Sequence, residues 1–270
     1  MRDFPQDLVN QVLDELFALV GRDNSYQGCS KRSRHTLRPD CGISDYLVSK
    51  AWVGPTQKHH FSILRLDCPE VVEKWLANIP PDPTGVSRHV RKLVLDDFYP
   101  ECLEVFEKHL RAFTQVERLA VDDCGGILNH PSITEWFSTM GSSLVELRIN
   151  DSPVTAYTIT SLLAALPLLQ SLDLHDFQLD DAHEANPSTP TRIPFFEGAN
   201  RFVLRCGHGH RYPAGSLHWI PSSARFGQLE VDMACSIDHI YLVNRWLASS
   251  SATLTNLTIR EDPQGTSPPK

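Results

Sequence analysis

No stretch of this chain is apolar for long enough to cross a bilayer. The longest apolar run, Leu162 to Leu169, is broken by Pro167 and falls far short of the roughly 18 residues a membrane helix needs. Met1-Arg-Asp-Phe-Pro5 leads into a charged amphipathic segment rather than an apolar leader core, so no secretory signal is expected. Basic charge is scarce: 25 Lys and Arg stand against 33 Asp and Glu, a net charge of −8. That argues against nucleic acid or an anionic membrane as a partner. The 7 cysteines are odd in number and scattered, with no C-x-x-C pair. Neither a disulfide framework nor a zinc module is indicated, and reduced thiols point to the cytoplasm or nucleus.

There is also no glycine-rich phosphate loop and no nucleophile motif. We therefore expect no catalytic residue, no cofactor and no metal centre. Cys206, His208 and His210 are close in sequence, yet no second pair of ligands accompanies them, and zinc usually takes four; a Gly-His turn is the plainer reading. Asp96, Asp97, Asp122 and Asp123 recur at one phase of a repeat, as strand ends or turn caps would.

What the chain does have is a cadence. Leu169-Gln-Ser-Leu-Asp-Leu-His-Asp-Phe177 reads apolar-x-x-Leu-x-Leu. The pattern recurs from Phe61, Val90, Val116, Leu144, Ala199, Phe226 and Leu254. Its middle residues, Leu64, Leu93, Leu119, Leu147, Leu172, Phe202, Leu229 and Leu257, are separated by 29, 26, 28, 25, 30, 27 and 28 residues. A period in the twenties marks a stacked array of strand-containing units.

Most intervals carry a helical stripe. The stripes are Val71, Val72, Trp75, Leu76 and Ile79; Leu103, Phe106, Leu110 and Phe113; Ile133, Trp136, Phe137 and Met140; Ile159, Leu162, Leu163 and Leu166; and Ile237, Ile240, Tyr241, Trp246 and Leu247. Each predicts a helix backing its strand, with these residues in the core. The interval from Asp180 to Asn200 has Pro187, Pro190 and Pro194 and no stripe, and the next is irregular as well.

The cadence resembles the leucine-rich repeat, L-x-x-L-x-L-x-x-N/C-x-L, over about residues 61–262. Only Cys124 fills the position that family gives to Asn or Cys; Phe98, Ser152, Phe177 and Ala234 stand there in other copies. The inner asparagine ladder that stitches regular repeats is therefore expected to be missing, and the array irregular.

Ahead of the repeats, Leu8, Val9, Val12, Leu13, Leu16, Phe17 and Val20 form one apolar helical stripe behind Pro5, whose fixed φ suits a first turn. Residues 21–42 are polar and aperiodic, with Lys31, Arg32, Arg34, His35 and Arg38. They read as a flexible insertion or, alternatively, as a nuclear-import patch. Ile43 to Trp52 predicts a second helix, and Pro55 opens a short third. Phe4-Pro-Gln-Asp-Leu-Val-Asn-Gln-Val-Leu-Asp-Glu-Leu16 and Val48-Ser-Lys-Ala-Trp52 resemble the opening and the later motif of an F-box, with the gap between them lengthened by residues 21–42.

The two resemblances imply an α/β protein: a short three-helix F-box-like unit over residues 1–60, an irregular βα solenoid of about eight strands over 61–262 with its parallel sheet on the concave face, and a disordered tail, 263–270. F-box proteins are substrate-recognition subunits of SCF-type E3 ubiquitin ligases. The resemblance therefore implies docking on a Skp-type adaptor, and through it a cullin, by Phe4, Pro5, Leu8, Val9, Val12, Leu13, Leu16, Val48 and Trp52. An unidentified protein target would lie on the repeats.

Strand side chains alternate. The open side should thus carry Lys92, Val94, Asp96, Arg118, Ala120, Asp122, Glu146, Arg148, Asn150, Ser171, Asp173, His175, Val203, Arg205, Gln228, Glu230, Asp232, Thr258 and Arg260. We take Lys92, Asp96, Arg118, Asp122, Glu146, Arg148, Asn150, Asp173, His175, Arg205, Glu230 and Asp232 as the target-binding set. Two other readings compete. One is a non-catalytic interaction scaffold with a vestigial box. The other is a hydrolase or metalloprotein built on residues 187–210.

Overall fold

The computed structural model describes residue 58 and residues 61–66, 85–176, 178–179, 193–198, 200–205, 217–232 and 237–260. The chain divides between Ile63 and Leu64 into two units, and nearly all described residues belong to the second. The expected adaptor-binding residues, the insertion at 21–42, the stripe from Val71 to Ile79, Cys206, His208 and His210 all lie outside the described residues.

Each cadence becomes a strand because its alternate residues are apolar and β-compatible. The strands are β1 (Ile63–Leu66), β2 (Lys92–Asp96), β3 (Arg118–Asp122), β4 (Glu146–Asn150), β5 (Pro153–Val154), β6 (Ser171–His175), β7 (Gln178–Leu179), β8 (Asn200–Arg205), β9 (Phe226–Asp232) and β10 (Asn256–Arg260). All but β5 and β7 form one eight-stranded sheet in the order β1-β2-β3-β4-β6-β8-β9-β10; β5 and β7 make a separate parallel pair. From β2 to β10 every pairing is parallel and joins equivalent residues: Leu93 faces Leu119, then Leu147, Leu172, Phe202, Leu229 and Leu257. The register slips only once, at Asn200–Arg201. Parallel neighbours need a crossover, and here each crossover is the interval between two cadences.

The crossovers include helices α1 (Pro100–Leu110), α2 (Pro131–Met140), α3 (Ala156–Ala165) and α4 (Ile237–Ser250). Pro100 and Pro131 open theirs, where a missing N–H costs nothing. Thr155 caps α3 by accepting from the Thr158 amide at 3.0 Å. The stripes on α1, α2 and α3 are buried as expected. Gly141, at the end of α2, lets the backbone of Ala165 come close; a Cβ there would stand 2.4 Å from its carbonyl oxygen.

The stripe on α4 is phased differently from the expectation. Ile240 and Tyr241 are exposed, and Val243, Trp246 and Ser250 face inward. These three follow the i, i+3, i+7 spacing of one helix face, whereas Tyr241 falls off it. Between β6 and β8 the described residues include a short 3-10 turn, Pro194–Glu197, which buries Phe195 and Phe196.

The core lies between the sheet and these crossovers. Leu93, Leu95, Leu119, Val121, Leu147, Ile149, Leu172, Leu174, Phe202, Leu204, Leu229 and Val231 are all at most 1% exposed. At β10 this stops: Leu257 is 43% and Ile259 47% exposed.

Candidate protein-interaction face

The residues between the buried pairs share the opposite face of the sheet, helix-free among the described residues, and line up in three rows. One row is Lys92, Arg118, Glu146, Ser171, Arg201, Gln228 and Asn256. The middle row is Val94, Ala120, Arg148, Asp173, Val203, Glu230 and Thr258. The third holds Asp96, Asp122, Asn150, His175 and Arg205, with Asp232 beside Arg260. All twelve residues of the expected target-binding set fall in these rows, none of them fully buried.

Two residues expected on the open side are not open. Val94 is 1% exposed and Val203 is 0% exposed. For Val203 the cause is visible. Arg201 and Arg205, two residues away on either side, both turn to Glu230, its partner in register; the nitrogen–oxygen distances are 4.0 and 3.1 Å. Their aliphatic stems can cover the valine while the heads stay polar. Val94 lies between Lys92 and Asp96, and Asp96 pairs with Arg65 of β1.

The face is laced by ion pairs between strands. Arg118 Nε lies 3.6 Å from Glu146 and Arg148 Nε 4.0 Å from Asp122. Arg260 reaches Glu230 at 2.9 Å, so one carboxylate gathers three arginines. The His175 ring nitrogen Nδ1 meets Asn150 Oδ1 at 2.5 Å. Exposed pairs of this kind contribute little to stability, about 0–1 kcal/mol each. Arg65 and Arg201 were missed in the sequence. The signal for Arg201 was available in its place one residue before Phe202, but the slip at Asn200–Arg201 hides the strand's phase.

At the centre of the face the pairing is incomplete. Asp122 Oδ1, Arg148 Nε and Asp173 Oδ1 are covered atoms with no hydrogen-bond partner. Burial raises the Asp122 carboxyl above its ordinary value; Arg148 opposes the shift and Asp96 adds to it.

The strands end in a second repeated device. Asp97, Asp123, Asp151 and Asp176 have φ of 53°, 51°, 45° and 48°, a left-handed conformation that Asp tolerates better than most residues. Each amide donates to the neighbouring strand: Asp97 to Asp122 O, Asp123 to Asn150 O, Asp151 to His175 O and Asp176 to Arg205 O, at 2.9 to 3.0 Å. The aspartates following strands thus sit in turns. The side chain of Asp97 also hydrogen-bonds Tyr99 and raises its phenol.

Beneath these turns lies a short ladder made without asparagine side chains. The Cys124 amide donates to Ser152 Oγ at 3.0 Å, and Ser152 Oγ donates to Asn150 O at 2.9 Å. The Cys124 thiol donates toward Leu95 O at 3.4 Å and Asp122 O at 3.2 Å. A short ladder therefore joins three successive coils through two small buried side chains. Burial pushes the Cys124 thiol up to about 12, so it is protonated and serves as a donor here.

No group of three or more potential metal ligands occurs among the described residues. No described helix is long and apolar enough to cross a membrane. No protein-family model, curated protein or solved structure matches the chain.

Proposed function

We propose that this chain is the substrate-recognition subunit of an SCF-type E3 ubiquitin ligase. Its N-terminal segment, with Phe4, Pro5, Leu8, Val9, Val12, Leu13, Leu16, Val48 and Trp52, docks as an F-box on a Skp-type adaptor. The repeats form a leucine-rich-repeat-like solenoid whose helix-free face holds a target protein. The ligase complex then gains rate by proximity, and this chain performs no chemistry.

The observation that carries the reading is the helix-free face itself. It is an in-register parallel sheet whose three rows present mixed charge, and stacked arrays bind protein partners on surfaces of that kind. The motifs at residues 4–16 and 48–52 supply the ligase part. Apolar stripes on so small a unit gain by docking into a partner.

The test is co-purification of the full chain with a Skp-type adaptor and cullin, beside Leu13→Asp and Trp52→Ala variants checked for folding. Retention by the native chain and its loss in both variants is the expected result. A folded native chain that retains no adaptor would overturn the ligase role and leave an interaction scaffold.

A further inference from the structure

The helix-free face is balanced in number but not in pairing. Across β1 to β6 its rows hold Asp96, Asp122, Glu146 and Asp173 against Arg65, Lys92, Arg118 and Arg148, with Glu146 beside Arg118. Asp96 takes Arg65 and Asp122 takes Arg148. In register, Arg148 stands next to Asp173, yet its guanidinium turns toward Asp122 on the other side.

On the far side of Asp173 its neighbour is Val203, and the flanking Arg201 and Arg205 are drawn to Glu230. Asp173 is left half-buried in the middle row, its covered Oδ1 without a hydrogen-bond partner and its carboxylate in no ion pair among the described residues. A carboxylate oxygen covered from water without a hydrogen bond is costly, and nothing in the packing of the sheet requires one at this position: the equivalent residues on other strands include Ala120 and Val203.

We infer that Asp173, with Asp122 on the next strand but one, receives the cationic side chain of an Arg or Lys carried on an extended segment of the bound protein. This rests on the reading that the helix-free face holds the target, and it specifies that target's chemistry. The incoming cation makes the charge-assisted bonds that Asp173 lacks without having to displace Arg148 from Asp122. Recognition is then of a basic side chain at the unpaired Asp173.

The probes are two fluorescein-labelled dodecapeptides, alternating Arg-Ser and alternating Glu-Ser, titrated into the full chain while anisotropy is followed. The native chain, Asp173→Asn and Glu135→Gln are compared; Glu135 is an exposed acid on α2, away from the sheet face. The expected result is binding of the Arg peptide at least about tenfold tighter than the Glu peptide, a loss of about tenfold in Asp173→Asn, and a change within about twofold in Glu135→Gln. Asp173→Asn should melt at the native temperature or above it.

Equal losses in the two variants would mean bulk attraction to a negative protein and overturn the assignment. So would equal affinity for the two peptides, or a marked drop in melting temperature for Asp173→Asn, which would make the carboxylate structural. Adaptor retention is read on the same preparations. Its failure removes the ligase role and leaves this assignment standing, because the two tests depend on different parts of the chain.

Discussion

The coils around β3, β4 and β6 and those around β8, β9 and β10 keep the same strand register by different means. In the first group the strand exits are stitched by polar contacts: the Cys124–Ser152 ladder and the left-handed aspartates at 123, 151 and 176. In the second group the Phe226 amide donates to the buried Ser250 Oγ at 2.9 Å, and the Thr253 and Thr255 hydroxyls donate to the Phe226 and Gly227 carbonyls; the residues that follow Arg205 and Asp232 lie outside the described ones. There the crossovers hold an aromatic cluster, with Phe202 stacked on Phe226 at 5.2 Å and Trp246 edge-on to both at 6.0 and 5.9 Å. Phe196 and Trp219 extend it. Side-chain hydrogen bonds join coils in both groups, and in the second a cluster of large side chains is added beside the 3-10 turn Pro194–Glu197. The comparison teaches that coils packed by different side chains can carry one register, and that the slip at Asn200–Arg201 falls where the aromatic cluster begins.

The largest effect is expected in the aromatic group. Trp246→Ala should cost about 3–5 kcal/mol, because it empties the centre of the cluster and strands the Pro221 carbonyl that the indole bonds at 3.1 Å. Urea denaturation measures it. A cost below about 1 kcal/mol would show that the cluster does not hold the coils.

Ser152→Ala tests the other group. The buried Cys124 amide would lose its acceptor, at about 1–3 kcal/mol, again read from the denaturation midpoint. Next, Asp123→Ala should cost about 1–2 kcal/mol and Asp123→Gly much less; equal costs would mean that the aspartate side chain matters more than its backbone angle.

Asp122→Asn gives a pH-dependent sign. The folded-state carboxyl is raised by burial, so the charged form is the disfavoured one. Its contribution to stability is fully present below the unfolded value of 3.8 and is lost as pH rises through the raised value. The variant should therefore melt higher than the native protein at pH 7, and the difference should shrink by pH 3. A constant difference across that range would remove burial as the governing effect.

Much of the strand framework could be read directly. A Leu-x-Leu core flanked by polar residues leaves little choice of face, and seven of the eight strands follow the reading closely. β8 was legible through Phe202 and Leu204 even though its first residues slip. The Cys124–Ser152 ladder was not legible, because serine is a common surface residue and its role here depends on lying one coil from a buried amide. The face of α4 misled as well: Ile240 and Tyr241 are apolar enough to suggest a core, yet Val243, Trp246 and Ser250 are the residues that face inward. Burial of Val94 and Val203 depends on where neighbouring arginine stems lie, which alternation alone does not reveal.

The partly uncovered β10 has a consequence for solvent exchange. At the start of each inner strand the amide donates to the preceding coil, as Arg118 does to Arg91, Glu146 to Glu117 and Ser171 to Val145. The two-residue alternation of a parallel ladder then turns the intervening amides toward the following coil. In β10 those intervening amides belong to Leu257 and Ile259, and no described strand lies on that side. Deuterium should enter β10 in a stripe, fast at Leu257 and Ile259 and slow at Thr258 between them, whereas the equivalent residues of β4 should all exchange slowly.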